Sequence, residues 1–224
     1  FFFKPQDGIR DFCLSRGLGD VYKRQVPINP PILEASIHPK INICYVGSFG
    51  DYYDIMKVLS LFKEISYHGY SNFFHFSFAG DGKDLSKLKE GVVLYPDISV
   101  EFFGRLSKSD ADSIIKFSDV CYLPLKNIPS NKYGISCNKI YDYMSFSKPI
   151  IGHYNASTYD PVLVSGCGNC VNDGLENKLV EFLIKFYYNR KLLSCYGSKG
   201  FSYLMENCSP DINSLRLISF ISRL

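Results

Sequence analysis

Ile41-Asn-Ile-Cys-Tyr-Val-Gly-Ser-Phe-Gly50, followed by Asp54-Ile-Met-Lys-Val-Leu-Ser-Leu-Phe-Lys-Glu-Ile-Ser66, decides the fold. The first six residues form a short apolar run that ends at a glycine, as in a strand buried on both faces. In the second segment Ile55, Val58, Leu59, Phe62 and Ile65 recur at helical spacing, with Lys57, Lys63 and Glu64 opposite, which predicts an amphipathic helix. A buried strand that turns through glycines into such a helix is the repeating unit of a parallel α/β sheet.

The unit recurs along the chain. Strands are expected over 74–79, 100–103, 120–123, 149–151 and 169–171. Helices are expected over 85–90, 111–117, 138–145, 161–164, 176–188, 190–206 and 212–224. Strict alternation predicts an α/β fold, a doubly wound, Rossmann-like parallel sheet covered on both faces, over 41–224 with C-terminal helices from about 190. Residues 26–40, with Pro27, Pro30 and Pro31, read as an extended linker into the first strand. Residues 1–25 have neither helical nor strand period, do not match a signal peptide, and end in Gly-Asp-Val-Tyr-Lys-Arg-Gln, which resembles translated sequencing-adaptor sequence. On that reading the native chain enters mid-gene near Val26 and an upstream domain is missing; a natural disordered tail is the alternative.

The chain has 224 residues, 46% of them hydrophobic and 21% charged, enough for one sizeable core. A net charge of +3 without any Lys/Arg-rich run gives no nucleic-acid footprint. No apolar stretch reaches the ~20 residues of a membrane span. Eight scattered cysteines suit free thiols in a reducing cytoplasm better than a disulfide framework.

Doubly wound sheets gather ligands at the carboxyl ends of their strands. The loops there are Gly47-Ser-Phe-Gly50, Gly80-Asp-Gly82, Gly104-Arg-Leu-Ser107 and the long 126–136 segment. Gly47, Ser48 and Gly50 stand between strand and helix, where backbone amides can approach a phosphate, or where glycine simply makes the turn. The dinucleotide fingerprint and the phosphate-loop motif are both absent, which argues against a dehydrogenase and a nucleoside triphosphatase.

Gly134-Ile-Ser-Cys-Asn-Lys-Ile-Tyr-Asp-Tyr-Met144 carries the most chemistry. Ser136 is placed to cap a helix whose first turn holds Asn138 and Lys139, with Asp142 near the same face. A diphosphate could meet the amides and the Lys139 ammonium there, while Asp142 accepts from hydroxyls such as those of a ribose. The plain alternative is a surface helix with a Lys139/Asp142 pair.

Six segments, Tyr45-Val-Gly-Ser-Phe-Gly50, Phe78-Ala-Gly-Asp-Gly82, Val100-Glu-Phe-Phe-Gly104, Ser118-Asp-Val-Cys-Tyr-Leu-Pro124, Gly134 to Met144 and Lys148-Pro-Ile-Ile151, occur in the order seen in one enzyme group. Together they resemble the donor-binding C-terminal domain of family-four retaining glycosyltransferases of the GT-B type, over about 42–206. The likeness is greatest to enzymes that build bacterial surface polysaccharides or lipopolysaccharide. It implies a UDP-linked sugar held without a metal or other cofactor, and transfer to an acceptor on the missing N-terminal domain. It also implies a cytoplasmic parent enzyme, peripheral at the inner membrane. Asp142 then holds the ribose, Lys139 the diphosphate, and Arg105 lies in the loop that meets the base. Gly134 stands where many members have their first acid, and Ser48 where many have an arginine. The resemblance therefore leaves the sugar to backbone amides of Ile135, Ser136, Cys137 and Asn138, or to a residue it does not identify.

Asp110-Ala-Asp112 has the form of a divalent-metal motif, but after Ser107 it reads as the acidic start of a helix. Cys167 and Cys170 lack the second pair a zinc site needs. Two other functions suit the same element order: a non-catalytic nucleotide-binding or flavodoxin-like module, and the donor subunit of a two-chain transferase.

Overall fold

The computed structural model of the protein describes residues 40–135, 137–157 and 159–209, with six more between 212 and 222. Six parallel strands make one sheet: β1 (Ile41–Val46), β2 (Phe74–Ala79), β3 (Ser99–Gly104), β4 (Val120–Pro124), β5 (Ile150–His153) and β6 (Gly168–Val171), in the order β3-β2-β1-β4-β5-β6. The helices are α1 (Val58–Tyr67), α2 (Leu85–Val92), α3 (Lys108–Phe117), α4 (Asn138–Ser145), α5 (Pro161–Ser165), α6 (Glu176–Tyr188) and α7 (Lys191–Cys208).

Each strand supplies both faces through its two-residue period. Ile41, Ile43 and Tyr45 pack on one side with Phe62 of α1 and Leu183 and Phe186 of α6. Cys44, Cys121 and Leu123 pack on the other with Ile115 of α3, Ile140 and Met144 of α4, Val162 of α5 and Leu204 of α7. Burial on both faces is why the strand sequences run almost continuously apolar. The doubly wound sheet expected from the sequence is therefore present.

The differences lie at element ends. The helix expected over 54–66 opens as a 3-10 turn, Ile55–Lys57, because Asp54 supplies no side-chain cap. α3 starts before residue 111 because Ser107 caps it: the Asp110 amide donates to Ser107 Oγ at 3.2 Å, and Ser107 Oγ donates to Asp110 Oδ2 at 2.6 Å. That cap accounts for Asp110 as a helix-starting acid. The 126–136 segment, read as a plain loop, holds a 3-10 helix, Pro129–Tyr133, begun by its proline. The N-cap of α4 is Cys137, with no side-chain cap bond, rather than Ser136, which lies outside the described residues. Also outside them are the tail over 1–25, nearly all of the linker over 26–40, and most of the helix expected over 212–224. Among the described residues no helix is long and apolar enough to cross a membrane.

α7 crosses the turn after α4 at a glycine. A Cβ on Gly197 would lie 1.8 Å from the Ser147 carbonyl oxygen. Gly197→Ala should therefore lower the melting temperature by several degrees, about 1–3 kcal/mol, although alanine is the better helix former. An unchanged or higher melting temperature in differential scanning calorimetry would contradict this packing.

Candidate nucleotide site at the switch point

Strand order reverses between β1 and β4, so the connections after these strands leave toward opposite faces and open a crevice at their carboxyl ends. Backbone pairing continues past the strand ends. Gly47 N donates to Ala79 O at 2.8 Å, Phe49 N to Asp81 O at 3.0 Å and Gly80 N to Gly104 O at 2.7 Å. Such close approach requires glycine: a Cβ on Gly80 would sit 1.7 Å from Gly47 O, and one on Gly82 2.2 Å from Phe49 O, both at positive φ. The amide of Gly47 is thus occupied by the sheet. What Gly47 offers the site is space.

Beside these loops lies an open cleft of about 480 Å³, walled by Val46, Gly47, Ser48, Gly80, Asp81, Gly82, Arg105 and Leu106. It brings Gly47, Ser48 and Arg105 together as the sequence suggested. Gly50 is not among its walls; it packs against Lys83 and Asp84. A second concavity, of about 460 Å³, lies along the outer side of α3 at Lys108, Asp112, Lys116 and Phe146, away from the strand ends. The first matches the ligand position of doubly wound sheets, and the second does not.

Lys139, in the first turn of α4, joins the other half of the crevice. Its Nζ donates to Val46 O at 2.6 Å, across the switch point from its own helix. It sits 4.6 Å from the Tyr53 ring centroid and 5.4 Å from that of Tyr45. A Cβ on Gly47 would lie 1.6 Å from the same nitrogen. Burial holds the Lys139 ammonium below the usual lysine range, opposed by Cys137 and Asp142. Asn138 and Asp142 are exposed on α4, whose N-terminus carries partial positive charge. Gly134 holds φ at +141°, while the Ile135 side chain is core, so Ile135 can face a ligand only through its backbone. The arrangement pairs a cation and a helix N-terminus with a glycine-lined cleft, chemistry suited to a phosphorylated ligand.

Sequence reasoning missed Tyr45 and Tyr53 as partners of Lys139. It also missed the partners of His153. At the end of β5 that ring is fully buried, with Nδ1 3.1 Å from Tyr122 Oη and Nε2 3.1 Å from Glu176 Oε1. Glu176 Oε1 also accepts from Ser60 Oγ and Gly174 N. Lys57 pairs with Asp173 at 2.7 Å, and Asn127 ties Asp173 to the Asn155 amide. The partners come from four elements, so no local pattern announces them.

The fold is that of GT-B glycosyltransferases. The chain is similar to an uncharacterized glycosyltransferase of Methanocaldococcus jannaschii, MJ1069, with 24% identity over 172 residues, 75% of this chain and 41% of the relative. Among solved structures it is similar to S. aureus TarM bound to UDP, at a TM-score of 0.63 and 13% identity over 83% of this chain and 36% of that one. It is also similar to the C-terminal domain of LpcC, a group 1 glycosyl transferase of Francisella tularensis, at 0.58 and 12% over 76% of this chain and 87% of that domain. The chain thus spans about two-fifths of the relative's length and most of a solved C-terminal domain. No protein-family model matches it.

The buried network makes stability depend on pH. Burial lowers the His153 pKa below 6.5, so protonation favours the unfolded chain as pH falls through that value. For Glu176 burial acts upward, but the Glu176 and Gly174 amides, Ser60 and His153 outweigh it and hold the carboxyl below 4.5, so its stabilisation is lost at still lower pH. The melting temperature should fall between about pH 6.5 and 5, and His153→Gln should flatten that segment relative to its own value at pH 7.5. An equal slope in both proteins would show that His153 does not carry the effect.

Proposed function

We propose that the chain is the donor-binding half of a retaining, nucleotide-sugar-dependent glycosyltransferase that takes a UDP-linked sugar without a metal. One observation carries the reading: the Lys139 ammonium and the α4 N-terminus meet the glycine loop after β1 at the switch point, beside a cleft able to admit a nucleoside. UDP in the similar TarM structure supports the choice of nucleotide. In this reading the diphosphate lies against Lys139 and the first amides of α4, Asp142 accepts from the ribose, and the base enters toward Arg105. Gly134 leaves sugar recognition to the backbone of 135–138. The acceptor, a growing surface polysaccharide or lipid-linked glycan, belongs to an N-terminal domain, and the parent enzyme works at the cytoplasmic face of the inner membrane. Alone, this half binds donor but does not turn over, because transfer needs both reactants held in one geometry.

Calorimetry on the 224-residue chain tests the reading. UDP should bind equally with and without chelator. Lys139→Ala should weaken UDP tenfold to a hundredfold, as expected for loss of a charge-assisted hydrogen bond of roughly 1.5–3 kcal/mol, and leave uridine nearly unchanged. Asp142→Asn should weaken both. UDP affinity within about twofold of wild type in Lys139→Ala would remove the phosphate site from this helix, and absence of UDP binding would favour a module of another kind.

A further inference from the structure

The residue that sets the Lys139 ammonium in place is not on its own helix. Tyr53 lies in the β1–α1 connection, between the glycine loop, the end of β4 and the first turn of α4. Its amide donates to Gly50 O at 3.0 Å, closing the glycine loop, and it bridges to Leu125 just beyond β4. Its hydroxyl lies beside the Cys137 thiol at the α4 N-cap. Its ring packs edge-on against Tyr45 at 6.1 Å and against Tyr52 at 5.4 Å. The Lys139 ammonium sits 4.6 Å from that ring's centroid, and its hydrogen bond to Val46 O leads away from the helix that bears it. A lysine has four rotatable bonds, and at a helix start nothing local would hold it toward the neighbouring strand. The ring face supplies the attraction, and the missing Cβ of Gly47 supplies the room.

We infer that Tyr53 is a positioning residue for anion binding: its ring holds the Lys139 ammonium at the β1 edge of the cleft, so that the cation is in place before a diphosphate arrives. The inference rests on the proposed nucleotide site and adds a component to it. Preorganisation of this kind improves affinity by removing the loss of side-chain freedom on binding. It also couples affinity to pH. The titratable groups facing Lys139 are Tyr45 from β1, Tyr53 from the connection, and Cys137 and Asp142 from the start of α4. Burial lowers the ammonium's pKa, so UDP affinity should decline on the alkaline side earlier than for an exposed lysine.

A double-mutant cycle on the full chain tests this, with UDP and uridine as ligands. Tyr53→Leu should weaken UDP roughly tenfold and leave uridine within about twofold. Tyr53→Phe keeps the ring face and should match wild type in both measurements. In a Lys139→Ala background, Tyr53→Leu should change UDP affinity no further. Circular dichroism melts identify any variant that fails to fold; if Tyr53→Leu does, Tyr53→Met, which also lacks the ring, replaces it in the cycle and decides the matter through the coupling. A Leu variant that binds UDP like wild type, a Phe variant as weak as Leu, or additive effects in the cycle would each overturn the inference. Those outcomes require that wild type bind UDP. Failure of wild type to bind would instead overturn the proposed function itself.

Discussion

The hydrogen bond from Lys139 Nζ to Val46 O is the interaction on which the site's geometry depends. It spans the point where strand order reverses, and together with the Val46 amide, which donates to Tyr143 Oη at 3.3 Å, it joins α4 to the end of β1. Three sequence features make it possible. Gly47 has no Cβ where the ammonium must pass, Tyr45 and Tyr53 present ring faces to it, and α4 begins one residue after a β-region N-cap, which sends its first-turn side chains toward the strand ends. A lysine with its head group against a carbonyl and two rings has less freedom than one in water, and its charge is available at one fixed place.

The glycines of the strand-end loops have a different reason from the one their spacing suggests. Gly47-Ser-Phe-Gly50 resembles a phosphate cradle, yet the Gly47 and Phe49 amides bond to Ala79 and Asp81 and extend the sheet by two rungs. Close packing of two backbones, rather than amide exposure, explains Gly80 and Gly82. The loops are thereby rigid walls, and positive charge comes from Lys139, Arg105 and the start of α4. Division of labour between a stiff glycine wall and a cation from a distant element would not follow from any motif taken alone.

Legibility differed by type of feature. The sheet was readable because Ile41-Asn-Ile-Cys-Tyr-Val46 and its successors are buried on both faces and punctuated by glycine, a signal that survives without context. Helix ends were less so: α3 needed the Ser107–Asp110 reciprocal cap to be weighed above the apolar period, and the N-cap of α4 is Cys137 although serine is the better capping residue type. Gly47, Ser48, Arg105 and Lys139 were legible as a group because loops at strand ends converge by topology. Tyr53 and the His153–Glu176–Asp173–Lys57 cluster were not. Their partners lie up to about a hundred residues apart in the chain, and nothing short of the assembled sheet brings them together.

In the proposed function, the crevice between the β1 loop and α4 takes the nucleoside diphosphate. Amide NMR of the ¹⁵N-labelled chain titrated with UDP tests it most directly. Perturbations confined to 46–50, 80–82, 104–107 and 134–142, saturating together with one affinity, are the expected result. Perturbations centred on Lys108, Lys116 and Phe146, or no shifts at all, would contradict it.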